Sequence, residues 1–599
     1  MTTTLPTTED RGVDLLARTP RRRFSIARFI GVLLLVAMAA FALYSLRALD
    51  VTWASLTSSL GNIPAFFAKI GGADDPWAWP SPGDLIFLIA VTVGIVLIGT
   101  LIAAVLSVPV AWIAAANTTP WTPLRYLGRA ISVCTRAIPD VVIALVVSFA
   151  FVAHSAVPGI IAIGFHSIGM ISKLFADAIE QIDEGPRLAI RAAGGSRAQE
   201  FWSGVFPQVL PSWIATVLHR FDINIRGSAI LGYAGVAGLG YAMANAFKQF
   251  QYGAGLIIAF VIFLLCVILE FVSSTVRRQL LGIQPQGRGM GDRLLRAATR
   301  GGPVPPETAG ATPHERPTPS SLLRRPWTRS RAVTATWMWG ALVVVVLAFL
   351  AAHLQEPPHG EFWPIMPWHN LFWQNDVLWK YLRNAVSTFW PPGLGGHEFS
   401  DYLGDLTVTI QIAFAAALVG IVFSLLFGSF AARNVAPNSL VRNTFRGLLV
   451  FFRGVPELIV GLLLIITAGL GPVAGVVALA WGGIGLLGKL IADSFEEVPR
   501  GPETALTAAG ATRGQRYFAA TLPQGTPSLI GNSLYLVDTN IRSATILGFV
   551  GAGGIGFHMT QYAGLVTKFG GQLTTLVLLV FVAVLILEGV ATYLRRVFK

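Results

Sequence analysis

The sequence predicts an all-α integral membrane protein with about twelve transmembrane helices, arranged as two parallel six-helix repeats related by a pseudo-twofold axis. Three observations predict this class. Of the 599 residues, 54% are hydrophobic and 13% are charged, which excludes a string of ordinary soluble domains. Apolar runs long enough to cross a membrane recur along the chain. The second half also repeats motifs of the first half at offsets of 316 to 318 residues.

Each half contains six candidate spans, since a helix needs about 20 mostly apolar residues to cross a hydrocarbon core of about 30 Å. The candidates in the first half are 29–46, 85–113, 138–153, 156–178, 213–243 and 254–276. Those in the second half are 333–352, 405–432, 445–469, 471–492, 528–559 and 572–594. Only two residues separate 138–153 from 156–178, so a short or re-entrant segment is the alternative there.

The arginines predict the orientation of the chain. Segment 277–331 holds eleven arginines against three acidic residues, and both chain ends are basic. Because cytoplasmic loops are enriched in Lys and Arg, we expect both termini and the centre to be cytoplasmic in the cell membrane, with loops 47–84 and 353–404 outside. This pattern accounts for the net charge of +13, so no nucleic-acid partner is expected. The predicted organisation is a basic tail at 1–28, a first repeat at 29–283, a Pro/Arg-rich linker at 284–330 and a second repeat at 331–599.

The internal repeat is clearest in two segments that align without a gap at an offset of 316. These alignments pair 192–212 (AAGGSRAQEFWSGVFPQVLPS) with 508–528 (AAGATRGQRYFAATLPQGTPS), and 222–240 with 538–556. Offsets of 317 and 318 pair Arg136 with Arg453 and Glu270 with Glu588. Since six spans per copy is an even number, both copies have the same orientation in the membrane.

A polar segment precedes the fifth span of each copy, at 180–212 and 496–528. Each segment predicts a short helix, a glycine turn and a second helix. Gly194 and Gly510 suit the left-handed position that ends a helix. We expect four prolines to stop the second helix before the span begins: Pro207, Pro211, Pro523 and Pro527. A hairpin that is preserved between the copies predicts a cytoplasmic binding partner.

Charged residues interrupt the fifth span of both copies, in the motifs DINIR and DTNIR. If Pro211 lies near the cytoplasmic surface, Asp222 is about 16 Å deeper, at 1.5 Å per residue. A charge at that depth costs about 2.5–3.5 kcal/mol on insertion scales. In one interpretation each Asp pairs with the Arg four residues later and locks the helix against a neighbour. In the other, the motif lines a path where forked guanidinium donors bind an oxyanion. The residues assigned to this path are Asp222, Asn224, Arg226, Asp538, Asn540, Arg542, His219 and Tyr535.

These motifs resemble a known family. Segments 180–212 and 496–528, with their Ala-Ala-Gly and downstream Phe-Pro or Leu-Pro, are similar to the EAA loop of type I ABC importer permeases. FPQVLPSWIATVLHRFDINIRGSAILGYAGVAGLG and LPQGTPSLIGNSLYLVDTNIRSATILGFVGAGGIG resemble the phosphonate-transport branch. The resemblance implies the type I importer permease fold, with two permease copies fused in tandem. It departs at the glutamate of the EAA motif, which is Leu188 in one copy and Thr504 in the other.

The resemblance also implies the partners. The two polar loops are expected to dock on ABC ATPase subunits, two copies in all, and an extracytoplasmic binding protein is expected to deliver the substrate. The residues expected at the ATPase contact are Arg191, Ala192, Ala193, Gly194, Arg197, Ala508, Ala509, Gly510 and Arg513. We expect no cofactor or metal on this chain, ATP and Mg²⁺ on the ATPase, and lipid around the spans. GIGLLGKL at 483–490 lacks the Ser or Thr of a P-loop and lies in a predicted span, so nucleotide binding is not expected there.

The predicted function is ATP-driven import of phosphonate or a related phosphorus oxyanion such as phosphate or phosphite, with the chain acting as a permease and not as an enzyme. Two alternatives stay open. An ion-coupled secondary transporter with parallel six-helix repeats has no use for the two polar loops. A non-transporting membrane scaffold or sensor binds a partner through them without moving solute.

Overall fold

The computed structural model describes residues 25–71, 80–150, 156–280, 339–340 and 375–598, and all regular structure within these ranges is helical. The linker at 284–330 and nearly all of the predicted span 333–352 lie outside the described residues. The first half contains, in order, α1 (Ile26–Ala48), α2 (Trp53–Gly71), α3 (Pro82–Ala114), α4 (Thr122–Ala137), α5 (Asp140–Ala150), α6 (Val157–Glu180), α7 (Glu184–Ala192), α8 (Phe206–Leu231), α9 (Leu239–Lys248) and α10 (Tyr252–Leu280).

The second half repeats this order. Its helices are α11 (Asn375–Phe389), α12 (Phe399–Ala431), α13 (Ser439–Gly454), α14 (Glu457–Ala468), α15 (Pro472–Glu497), α16 (Gly501–Ala508), α17 (Leu522–Leu547), α18 (Ile555–Ala563) and α19 (Val566–Val597). Across the described residues, seven helices are long and apolar enough to span a membrane, and three bent helix pairs raise the number to ten. The predicted all-α membrane class is confirmed.

Two of the bent pairs are equivalent elbows. Helix α4 meets α5 at 76°, and α13 meets α14 at 75°. The residue before each elbow proline, Ile138 or Val455, is extended, because a following proline disfavours helical geometry there. Helix α5 has 11 residues and is about 16 Å long, so it does not cross the membrane alone. The short segment considered for 138–153 is therefore present, and 445–469, predicted as one span, is divided in two.

The expected helix stops at the four prolines are wrong. In the first copy a helical turn at Arg197–Gln199 continues through a π-helical segment, Glu200–Val205, directly into α8. Pro207 lies in the first turn of α8, where its missing N–H is tolerated, and Pro211 lies inside the helix. The ring of Pro207 faces the turn four residues earlier, and that turn is the wider π-helical one.

The second copy repeats this solution. Its π-helical segment is Tyr517–Thr521, Pro523 follows in the first turn of α17, and Pro527 lies inside that helix. Because a π-helical turn precedes the proline in each copy, the second arm of the polar hairpin continues into the fifth span as one helix.

The glycine-rich segments that follow α8 and α17 break the helices. The chain turns at positive φ at Gly235 and Gly238 before α9, and α9 lies at 45° to the preceding helix. The N–H of Leu239 donates to Thr92 Oγ1 on α3 at 2.9 Å. Ile555 donates to Thr409 Oγ1 at the same distance. Each copy therefore fixes its re-entrant helix to the second span in the same way.

The two halves are intertwined. Helix α1 of the first half packs on α12 and α19 of the second, and α2 packs on α14. The rings of Phe41 and Phe414 meet edge to face across this contact, 5.2 Å apart. In exchange, α11 of the second half packs on α5. One buried apolar core contains side chains from both halves, so α8 and α17 meet in a single bundle.

Candidate translocation path and coupling loops

Helix α8 brings Arg226 to the contact between the halves. Its Nη2 donates to Asp222 Oδ2 at 3.1 Å, one helical turn away. The same nitrogen donates to Glu270 Oε2 on α10 at 2.7 Å. Nη1 donates to the backbone carbonyl of Arg453 on α13, at 2.9 Å. Arg226 is therefore bound within its own half and across to the other one.

Two ion pairs cross between the halves at equivalent positions. Arg136 Nη2 of the first half donates to Glu588 Oε1 of the second at 2.5 Å. Arg453 of the second half pairs with Glu270 of the first. Glu588 also accepts from Arg595 at 3.4 Å. The residues that the repeat aligned are thus the ones that pair, and each arginine pairs with the glutamate of the opposite copy.

Helix α17 holds the second motif differently. Arg542 makes two parallel hydrogen bonds to the Asp538 carboxylate, at 3.1 and 2.7 Å. Both residues are 8% exposed. Arg542 also interacts electrostatically with Asp140 of the first half. The predicted pairing four residues apart is therefore present in both copies, with a closed two-bond pair in the second.

Asn224 and Asn540 do not join these charges. Asn224 Nδ2 donates to Thr100 Oγ1 at 2.9 Å and to Ser167 Oγ at 3.0 Å, both within the first half. Asn540 Nδ2 donates to the carbonyl of Ala413 at 3.4 Å. Both side chains are nearly fully buried. These bonds hold α8 and α17 against helices of their own half, and Asn224 shares the Ser167 hydroxyl with Arg220.

The equivalent positions His219 and Tyr535 differ in their surroundings. Tyr535 is half-buried and interacts electrostatically with Arg220 of the first half, so it lies at the contact between the halves. His219 is exposed on α8. Of this pair, Tyr535 is the one with an electrostatic interaction to a charged residue of the opposite half.

Arg220 is a residue that the sequence reasoning missed. It is 7% exposed, and its Nε donates to Ser167 Oγ at 3.1 Å. It interacts electrostatically with Asp140 and Tyr535. Its two terminal nitrogens donate to no atom of the described residues, yet they are not sealed from solvent. The signal in the sequence was a third charge in HRFDINIR, with Leu536 at the equivalent position of the other copy.

We call these residues the central charged layer. Its cations are Arg136, Arg220, Arg226, Arg453 and Arg542, and its carboxylates are Asp140, Asp222, Glu270, Asp538 and Glu588. The layer is balanced in formal charge, so it is not a strong anion trap, and transport needs release as well as binding. No three His, Cys, Asp or Glu side chains of the described ranges could hold a metal ion.

The polar loops form matching helical hairpins. In the first, α7 ends at Gly194 with φ of +80°, and in the second, α16 ends at Gly510 with φ of +79°. The positive φ that the sequence predicted is confirmed at both glycines. The next helical turn begins with a capping box in each copy, formed by Ser196 with Gln199 and by Thr512 with Gln515. The two loops therefore have the same backbone.

The residues expected at the ATPase contact lie on the surface of these hairpins. Eight of them are exposed to solvent: Arg191, Ala192, Ala193, Gly194, Arg197, Ala508, Ala509 and Gly510. Arg513 is also exposed, and its Nη1 donates to the carbonyl of Pro437. A small pocket of about 120 Å³ lies beside Arg191 and Arg197. Most of this surface is open to a partner.

The two hairpins carry opposite charges at three equivalent positions. In the first copy, Arg187 Nε donates to Glu184 at 2.5 Å and Nη1 donates to Glu200 at 2.7 Å and to the carbonyl of Asn117 at 2.7 Å. In the second copy the equivalent residues are Glu503, Arg500 and Arg516. Arg516 donates to Thr507 Oγ1 at 3.0 Å. The first hairpin is therefore fixed by a buried arginine that the second lacks.

Comparison with known proteins gives one family and several relatives. The family of binding-protein-dependent transport system inner membrane components matches residues 107–280 and 420–598. The phosphate-import permease protein PhnE of Mycolicibacterium smegmatis is 33% identical over 550 residues, 92% of this chain and 91% of that protein. The phosphite transport system permease protein PtxC of Stutzerimonas stutzeri is 37% identical over 209 residues, 35% of this chain and 74% of that protein. The alignment with a chain of a solved inward-facing MetNI methionine ABC transporter covers 33% of this chain and 96% of that chain, with 22% identity and a TM-score of 0.31.

Proposed function

The chain belongs to the family of binding-protein-dependent transport system inner membrane components, and on that premise we propose that it is the fused permease of an ATP-driven importer for phosphorus oxyanions. One observation carries this proposal: likeness to a phosphate-import permease extends over 92% of the chain and so includes both copies. Phosphate, phosphite and phosphonate share the tetrahedral oxyanion for which we propose the path.

We propose that the substrate crosses between α8 and α17 at the central charged layer. Arg226 and Arg542 are already bound by carboxylates, so their proposed role is to brace the two helices and set the local potential. Arg220 supplies the donors that bind the oxyanion, since its terminal nitrogens have no acceptor among the described residues. Asp140 keeps this binding weak enough for release.

We also propose the partners. Two ABC ATPase subunits dock on the hairpins at 180–212 and 496–528, and an extracytoplasmic binding protein delivers the anion to the opposite face. The exposed arginines and small residues of the hairpins support the first contact. The Arg-rich centre and ends of the chain support an orientation with both termini and the linker in the cytoplasm. In this proposal the ATPase subunits, and not this chain, hydrolyse ATP.

The test is uptake by proteoliposomes that contain the full chain with its ATPase. Radiolabelled phosphate is supplied with the binding protein, unlabelled phosphite and methylphosphonate serve as competitors, and sulfate is the control anion. We expect uptake that requires ATP, continues when an ionophore removes ion gradients, and falls with the phosphorus competitors but not with sulfate.

Two results would contradict the proposal. Uptake that stops with the ionophore and ignores ATP would assign an ion-coupled transporter. A complex that assembles on the ATPase but moves none of the three anions would assign a scaffold or sensor. Gly194→Trp with Gly510→Trp separates these cases, because Trp at positive φ distorts the two exposed turns and its bulk blocks docking, while the path lies elsewhere in the chain.

A further inference from the structure

A cavity of about 720 Å³ lies between the halves, on the proposed cytoplasmic side of the central charged layer. The first half contributes residues of α4 and α6, and the second half contributes the start of α17 and the end of α19. Its volume is within the range of small-molecule sites. The Arg136–Glu588 pair lines it, so the cavity adjoins the layer without including the Asp–Arg motifs of α8 and α17.

The lining of this cavity is cationic. Its cations are Arg129, Arg136, Lys173, Arg595 and Arg596, and its carboxylates are Asp177, Glu180 and Glu588. Two of the three carboxylates are already engaged. Glu180 accepts from Arg129 at 3.3 Å and from the N–H of Ala116 at 2.7 Å, and Glu588 accepts from Arg136 and Arg595.

Several donors in the cavity are unused. Lys173 and Arg596 are exposed to it and form no ion pair with a described residue. Arg136 also lines the cavity, and its Nη2 is engaged by Glu588. Two exposed cations without ion pairs, beside the partly engaged guanidiniums of Arg136 and Arg595, match an oxyanion such as a phosphate group.

We propose that this cavity binds a phosphate group and thereby holds the two halves in their present relative position. The group can belong to an anionic lipid of the adjacent leaflet or to inorganic phosphate from the cytoplasm, since the same donors recognise both. Because the site is built from both halves, a ligand that bridges them favours this arrangement over others. Only this effect on the transport cycle depends on the proposed function; binding does not.

The test uses the purified full chain without ATP or binding protein. In one arm, inorganic phosphate is titrated against thermal unfolding in neutral detergent, with sodium chloride at equal ionic strength as control. In the other, native mass spectrometry follows retention of phosphatidylglycerol against phosphatidylcholine. The variant is Lys173→Gln with Arg596→Gln, both exposed and free of ion pairs, and the matched control is Lys489→Gln, at the position equivalent to Lys173 in the other half.

We expect the double variant to bind about tenfold more weakly in one arm, and the control variant to bind as the natural chain does. The arm that responds identifies the source of the phosphate group. The proposal is wrong if the natural chain binds in neither arm, or if the control variant weakens binding as much as the double variant. Arg220→Leu separates this site from the path: it should leave the binding measured here unchanged, even if uptake is lost or the chain proves not to transport.

Discussion

Arg226 and Arg542 occupy equivalent positions in the two copies but form hydrogen bonds with different sets of partners. Arg226 holds a carboxylate one turn away, a second carboxylate on α10 and a backbone carbonyl of the other half. Arg542 closes on a single carboxylate, Asp538, with two parallel bonds. The first motif therefore forms a hydrogen bond that connects the two halves, whereas the Asp–Arg hydrogen bonds of the second motif stay within its own helix.

This difference shows how a fused duplication departs from symmetry. The two copies contact each other through one interface, in which the ion pairs Arg136–Glu588 and Arg453–Glu270 occupy equivalent positions. Arg220, in contrast, has Leu536 as its equivalent and therefore exists once. Fusion allows such a single residue, because the two copies no longer have to share a sequence.

The largest effect is expected from breaking a cross-half pair. Arg136→Glu places two carboxylates side by side in a mostly buried contact, and we expect a loss of about 3–5 kcal/mol in stability, the usual cost of breaking a buried pair. Thermal unfolding of the purified chain measures it. Glu588→Arg in the same chain should recover most of the loss.

The rescue must also be specific. Glu270→Arg, at the equivalent position of the other copy, should fail to rescue Arg136→Glu, because Glu270 pairs with Arg453. Rescue by Glu270→Arg and not by Glu588→Arg would overturn the pairing between halves described above.

The next effect concerns Arg220. Arg220→Leu gives the first copy the residue of the second, and we expect oxyanion uptake to fall about 10- to 100-fold, which corresponds to the 1.5–3 kcal/mol of a hydrogen bond to a charged group. The change also removes the hydrogen bond to Ser167 and the cation beside Asp140, so thermal unfolding is measured in parallel and uptake is compared per folded molecule. Initial rates in proteoliposomes measure the effect.

Arg220→Leu with Leu536→Arg transfers the cation to the opposite copy. If Arg220 binds the anion at the contact between the halves, this double variant should recover part of the uptake. Uptake by Arg220→Leu equal to that of the natural chain would remove Arg220 from the path.

The sequence identifies which residues of the two copies are equivalent, but it does not show which charged side chains form ion pairs. An offset of 317 or 318 residues identified Arg136 with Arg453 and Glu270 with Glu588, but an alignment cannot tell whether a pair forms within a copy or across copies. The pairs four residues apart were predictable, because helix geometry alone brings Asp222 to Arg226. The shared interface, which depends on how the helices intertwine, was not.

Local rules had a similar limit at the prolines. Pro207 and Pro523 read as helix stops, yet each follows a π-helical segment that makes room for the proline ring, and the helix continues. Of the two elbows, at Pro139 and Pro456, the sequence indicated only the first, because a short segment was considered at 138–153 and not at 445–469. Whether a proline ends, bends or merely widens a helix is decided by what the flanking segments pack against.

A smaller effect separates the two hairpins. Arg187→Met removes three acceptor contacts from a side chain that is about nine-tenths buried, and we expect the first hairpin to loosen by about 1–3 kcal/mol. Hydrogen exchange of α7 should then accelerate about 5- to 160-fold, the factor that corresponds to that free energy. Glu503→Met is the matched control, and exchange of α16 should not change. Equal acceleration in both hairpins would mean that the charge reversal has no structural consequence.

The smallest effect is expected at Asn224 and Asn540, where the two copies differ in the number and length of the hydrogen bonds that the side-chain amide donates. Asn224 donates to two hydroxyls at 2.9 and 3.0 Å, whereas Asn540 donates to one carbonyl at 3.4 Å. Asn224→Ala should cost about 1–2 kcal/mol in thermal unfolding and Asn540→Ala less than about 1 kcal/mol, since a longer bond contributes less. Uptake per folded molecule should be unchanged in both, because neither amide faces the central charges. A loss of uptake at normal stability would support the assignment of the asparagines to the path. An equal loss of stability in both variants would show that burial, and not hydrogen-bond geometry, sets their contribution to stability.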